Sequence, residues 1–281
     1  MKKIYYFILI SAVIFICGCE NDRYAAEKQF WQAQKLAEKI FSNPHVSPTR
    51  ELEKTVNILK GFAARYPQSK LSVQADFTIA KLYLAKEEYD NARAHLNSLI
   101  DKYGKSGSFI AEAVFLIGNS YELQNQWETA LKQYRKVMND FPVTFRGVDI
   151  PMYIASYYKS KFQPERMIYA LREAITHYKT LAEQYPDSLL SFHLNSLIAQ
   201  CYVELKEWNN AANTLELTID KYKGKFDVSA SLMQMASIYD TWLNDRPKSK
   251  EILERIIREY PKTKLAQKAA VIIKEMDKNG R

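Results

Sequence analysis

The sequence is short of turn residues: 8 glycines and 9 prolines in 281 residues, about 6% where average usage of the two is roughly 12%. All-β sandwiches and barrels need a turn about every 8–12 residues, and α/β folds need glycine-rich βα turns. Eight glycines build neither, so the composition predicts an all-α protein. Cysteine is scarce too, at three residues, and so is histidine, at four. Nor is there a dense run of one charge: 40 Lys and Arg against 32 Asp and Glu leave a net charge of +8, spread as mixed-sign helix faces. Such faces are solvated surface, and no nucleic-acid partner is expected from them. The one local bias is 245–281, with 11 basic and 6 acidic residues, either a solvated cap or a patch for an anionic partner. Aromatics are abundant, with 19 Tyr, 13 Phe and 4 Trp.

Met1-Lys2-Lys3 is a charged start, and Ile4 to Ile16 is an apolar run of 13 residues broken only by Ser11. A transmembrane helix needs about 20 residues, so the run reads as the apolar core of a signal peptide. It ends in Ile16-Cys17-Gly18-Cys19. The alternatives are a plain secretory signal or an uncleaved anchor, but the sequence resembles the lipobox of bacterial lipoproteins. That resemblance implies a signal peptide over 1–18, cleavage before Cys19, and lipid attachment (diacylglyceryl and palmitate-type acyl chains) at Cys19. Several chains give stable membrane anchoring where one would be marginal. Only Cys201 then remains, so no internal disulfide is expected, and a lone thiol in an oxidising compartment is expected to be buried and inert.

A repeat organises the rest. Ile/Met-Ala/Gly-x-x-Tyr occurs five times, ending at Tyr83, Tyr121, Tyr158, Tyr202 and Tyr239. A period near 37 means stacked supersecondary units. An aromatic lies six residues after three of these tyrosines (Tyr89, Trp127, Trp208), and a small residue nine after (Ala92, Ala130, Ala211). Units close on Tyr66-Pro67, Phe141-Pro142, Tyr185-Pro186 and Tyr260-Pro261, on Tyr103-Gly104, or on Tyr222, 20 residues after Tyr202; proline and glycine both end helices. A helix is expected from about 23 to 41, a connector holding Pro44 and Pro48, a helix over 49–65, five helix pairs, and a capping helix from Lys264 to Met276. Tyr158 to Tyr185 holds about seven extra residues, so the fourth unit needs a longer helix or turn.

These landmarks resemble the tetratricopeptide repeat family. The resemblance implies a right-handed α-solenoid of antiparallel helix pairs, with about five to six repeats plus a C-terminal capping helix. The layout is then a lipidated N-terminus, first helix and connector over 19–48, the repeats over 49–263, and a capping helix and basic tail over 264–281. In the family register the residue six before each tyrosine faces the concave side. Phe77, Phe115, Met152 and Met233, with Ser196, are therefore candidates for a peptide-binding groove, or else pack into the core.

Catalytic signatures do not assemble. His45, His95, His177 and His193 have no ligand spacing, and Gly104-Lys105-Ser106 has Leu99 where a phosphate-binding loop needs its first glycine. No enzyme, cofactor or metal is expected. A lipobox followed by units closing Tyr66-Pro67-Gln68-Ser69 and Tyr185-Pro186-Asp187-Ser188 resembles the BamD-type outer-membrane lipoproteins. This implies a lipid-anchored periplasmic scaffold for other envelope proteins or unfolded peptide segments, among them the components and precursors of β-barrel assembly. An adaptor for cell-wall or envelope-constriction proteins, or a binder of an anionic envelope polymer, is the alternative.

Overall fold

The computed structural model describes residues 24–104 and 107–279; the expected signal peptide over 1–18 and the expected lipid-attachment residue Cys19 lie outside the described residues, as do Lys105 and Ser106. Among the described residues there is no β-strand, only an isolated bridge between Lys223 and Phe226. No described helix is long and apolar enough to cross a membrane. The helices are α1 (24–42), α2 (Thr49–Arg65), α3 (Lys70–Ala85), α4 (Tyr89–Tyr103), α5 (Ser108–Leu123), α6 (Trp127–Asp140), α7 (Phe145–Ser160), α8 (Pro164–Gln184), α9 (Leu189–Glu204), α10 (Trp208–Tyr222), α11 (Ser229–Thr241), α12 (Arg246–Glu259) and α13 (Lys264–Asn279). They divide into two compact units, one ending at Val137 and one starting at Met138.

In the first unit the apolar stripe Ala26, Phe30, Ala33, Ala37 and Ile40 of α1 is buried with Leu52, Val56, Leu59 and Phe62 of α2 and Ala75, Ile79 and Leu82 of α3. Spacing of three and four residues puts such a stripe on one helix face. The connector is held by Lys86, whose ammonium donates to the carbonyls of Pro44 (2.7 Å) and Ser47 (2.8 Å). Between α3 and α4 sits the buried carboxylate of Asp76. Tyr103 Oη donates to it at 3.2 Å, Lys102 Nζ lies at 3.3 Å and His95 Nε2 at 3.4 Å. Burial alone would raise its pKa, but the His95 hydrogen bond and the Lys102 charge outweigh that and hold it below the ordinary value.

In the second unit each helix from α7 to α13 packs against the next. The extra residues of the fourth repeat lengthen α8 to 21 residues, while its turn with α7 stays as short as the others. The capping helix α13 runs to Asn279, three residues past the expected end, and buries Ala266 and Ala269 against Ile252, Leu253 and Ile256 of α12.

The repeat landmarks have a backbone explanation. In four repeats the carbonyl of the first tyrosine accepts the N–H five residues on: Tyr83 from Glu88, Tyr121 from Gln126, Tyr158 from Gln163 and Tyr202 from Glu207. The residue in between is left-handed, at Glu87 (φ 61°), Asn125 (59°), Phe162 (55°) and Lys206 (60°). This is the Schellman cap, in which glycine is the usual left-handed residue. The closing motif works at the other end: the Ser or Thr three residues after the aromatic caps the next helix. Ser69 accepts from Leu71 N, Thr144 from Gly147 N, Ser188 from Ser191 N and Thr263 from Ala266 N. The deepest tyrosines are not the landmarks alone: Tyr134, Tyr178 and Tyr222 are fully buried, and each hydroxyl has a partner, Glu122 (2.6 Å), the Val148 carbonyl (2.8 Å) and Ser191. Of the landmarks, Tyr158 and Tyr222 are buried and Tyr185 is exposed.

Candidate binding groove

The four apolar positions singled out by the repeat register stand in different local surroundings. Phe115 is buried, its ring 5.4 Å from that of Tyr134. Phe77 is half-buried on α3, and Met233 is half-buried against the core of α9 to α13. Ser196 donates to the Phe192 carbonyl of its own helix. Met152 lines an open cavity of about 240 Å³ between α7 and α9.

That groove is built from the turn into α7. Phe141-Pro142 ends α6, and Thr144 caps α7 while its hydroxyl donates to the Phe141 carbonyl at 2.7 Å. Gly147 lets α7 settle onto this turn: a Cβ there would stand 2.0 Å from the Phe141 carbonyl oxygen and 2.9 Å from Pro142 Cα. Only glycine allows such an approach. Val143 and Phe145 are thereby left projecting, Phe145 76% exposed, with Leu189 of α9 64% exposed. The groove is lined by Val143, Phe145, Val148 and Met152 on one side and Leu190 and Leu197 on the other, with Tyr178 of α8 also reaching it.

Its polar groups are few. The Tyr178 hydroxyl is committed to the Val148 carbonyl, and its burial raises the phenol pKa far above the ordinary value. Asp149 lies 3.8 Å from Arg146 on the same helix, and His193 is exposed on α9. Behind the groove the thiol of Cys201 donates to the Met152 sulfur at 3.2 Å; burial pushes that thiol up to about 12, so it is a packed apolar group rather than a nucleophile. The four histidines stand on four different elements, the connector, α4, α8 and α9, and no group of metal-ligating side chains gathers among the described residues. What remains is an apolar cleft with a projecting aromatic rim. The repeat register picks out Met152 but not the rim, because Phe145 stands at the start of a helix, outside the repeated positions; the signal available was two apolar residues, Val143 and Phe145, flanking a capping threonine.

Antiparallel helix hairpins with Schellman turns and aromatic-Pro-x-Ser/Thr closures define an all-α repeat protein of the tetratricopeptide type. The family model YfiO, described as outer membrane lipoprotein, matches residues 46–251, and the chain belongs to that family. No curated protein matches the chain. Among solved structures, BtubC (BKLC) from P. vanneervenii is 13% identical, covering 89% of this chain and 92% of that one, with a TM-score of 0.47. YrrB, described as a TPR protein with an unusual peptide-binding site, is 16% identical over 75% of this chain and 98% of its own, with a TM-score of 0.38. Pseudomonas aeruginosa pilF is 12% identical over 88% and 99%, with a TM-score of 0.37.

Proposed function

We propose that the protein is a lipid-anchored periplasmic scaffold, attached through Cys19, that holds apolar segments of other envelope proteins and serves β-barrel assembly in the outer membrane. The observation that carries the binding role is the cleft between α7 and α9. Val143 and Phe145 stand exposed on the rim of an apolar cleft, and exposed apolar surface gathered at a groove marks a binding site. An extended peptide with alternating apolar side chains, the pattern of a barrel strand, offers one face to such a cleft and leaves the other solvated. Membership of an outer membrane lipoprotein family supports the location, and the lipobox supports the anchor.

Two experiments test the reading. Covering the exposed three-quarters of the Phe145 ring removes on the order of 150 Å² from water, about 4 kcal/mol gross. Ordering costs leave about 1–2 kcal/mol of that in binding, so Phe145→Ala is expected to weaken a peptide from a barrel-protein strand about tenfold in a fluorescence-anisotropy titration. Depleting the protein from its own cells is expected to lower outer-membrane β-barrel levels; unchanged levels reject the assembly role, and unchanged peptide affinity rejects the cleft.

A further inference from the structure

The outer face of α1 is the second surface with an unusual composition. At about 100° per residue, Tyr24, Lys28, Trp31, Lys35 and Lys39 fall within a sector of about 80°, directly opposite the buried stripe from Ala26 to Ile40. All five are exposed, Tyr24 at 68% and Trp31 at 58%, and Glu38 stands at the sector's edge. Trp31 also forms one wall of a shallow groove with Tyr66, Lys70 and Leu71. Glu27 and Ser69 also line it, so this surface passes from α1 onto Tyr66 and the start of α3 with one carboxylate among its aromatic and cationic groups.

Tyrosine and tryptophan are the side chains that settle at the headgroup level of a bilayer, apolar body inward and polar tip in water. Lysines beside them meet anionic phosphates, and their long stems let the charge reach those groups. We infer that this face of α1 lies on the anionic lipid surface that holds the anchor. The inference rests on lipid attachment at Cys19. Tyr24 follows Cys19 by five positions, a reach of at most about 17 Å, so the start of this face is never far from the bilayer. A tether that short raises the effective concentration of the surface, and even a weak contact is then mostly formed. Each lysine near an anionic leaflet contributes about a factor of five in affinity, so three contribute on the order of a hundredfold.

The test uses the lipidated full-length product in vesicles of phosphatidylethanolamine and phosphatidylglycerol, where the anchor is constant whatever the face does. A polarity-sensitive fluorophore is placed at Trp31→Cys; Cys201 is buried and stays unlabelled. The label is expected to be quenched several-fold more by a lipid-borne quencher than by aqueous iodide. Adding Lys28→Glu, Lys35→Glu and Lys39→Glu is expected to reverse that ratio while the protein stays anchored. Iodide access equal to that of a water-exposed label overturns the inference. Failure of the wild type to float with membranes rejects the anchor instead. The face is then read from the soluble protein mixed with the same vesicles: saturable binding that phosphatidylcholine vesicles do not give supports it, and no binding overturns it.

Discussion

Three glycines lie inside helices and meet three different surroundings, which makes alanine at each a graded test of the packing. Gly61 in α2 has nothing within 4 Å of the position a Cβ would take. Gly118 in α5 would bring a Cβ to 2.7 and 2.9 Å from the ring of Tyr134, a fully buried side chain tied to Glu122. Gly147 in α7 would bring one to 2.0 Å from a backbone carbonyl. Alanine gains about 1 kcal/mol over glycine in a helix interior, and overpacking costs about 1–3 kcal/mol, more where the backbone itself must move. Gly61→Ala is therefore expected to stabilise by up to about 1 kcal/mol, and Gly118→Ala to lose about 0–2 kcal/mol. Gly147→Ala is expected to lose about 2 kcal/mol or more, because neither Phe141 nor Pro142 can swing aside as a side chain can. Urea unfolding followed by circular dichroism reads the order directly from the midpoints at constant slope. Gly147→Ala should also weaken peptide binding, since it displaces Val143 and Phe145, while Gly61→Ala leaves it alone. A Gly147→Ala protein as stable as Gly61→Ala would refute the close approach that shapes the cleft.

Other outcomes follow from buried groups. Asp76 has a folded pKa below its ordinary value, so its contribution is fully present above pH 3.8 and is lost as pH falls through the folded value. Asp76→Asn should thus lower stability at neutral pH by about 1–3 kcal/mol and flatten the acid limb of the stability curve; an unchanged acid limb contradicts the network with His95, Lys102 and Tyr103. Cys201, buried and pushed up to about 12, should react with thiol reagents only as fast as the second unit opens, so alkylation in native buffer should track the unfolding rate measured separately. Phe162, left-handed and 92% exposed in the turn between α7 and α8, should gain up to about 1 kcal/mol on Phe162→Gly, as relief of left-handed strain outweighs the entropy of glycine; a loss of stability would contradict the turn geometry.

Much of the fold was legible because helix ends are written chemically. Pro44 and Pro48, the aromatic-Pro pairs and Gly104 mark where helices stop, and the stripe from Ala26 to Ile40 marks the buried face of α1. The glycine shortage was legible only in part. No strand forms among the described residues, yet the helix-to-helix turns do contain left-handed residues; the positions are filled by Glu87, Asn125, Phe162 and Lys206, and only the backbone reveals them. The site was less legible. A repeat register fixes which face a residue occupies but not what stands opposite it: Phe115 and Met152 share a register position, and Tyr134 covers the first while the second is left beside a cleft. Tyr178 stands 20 residues after Tyr158, the spacing of Tyr103 from Tyr83 and of Phe141 from Tyr121, and this buried tyrosine rather than the exposed Tyr185 anchors the second helix of the fourth pair. The seven extra residues of the fourth repeat could have gone into a turn or a helix, and they extended α8 because Met167 to Leu181 keeps helical apolar spacing throughout.

The central claim is that the cleft between α7 and α9 holds segments of β-barrel precursors. The direct measurement is photo-crosslinking in the living envelope from a benzoyl-phenylalanine at position 145, which replaces one exposed aromatic by another. Adducts containing outer-membrane β-barrel precursors, lost when precursor export is blocked, are the expected result. Adducts that persist unchanged under that block, or none at all at expression levels that keep the protein anchored, would contradict the account.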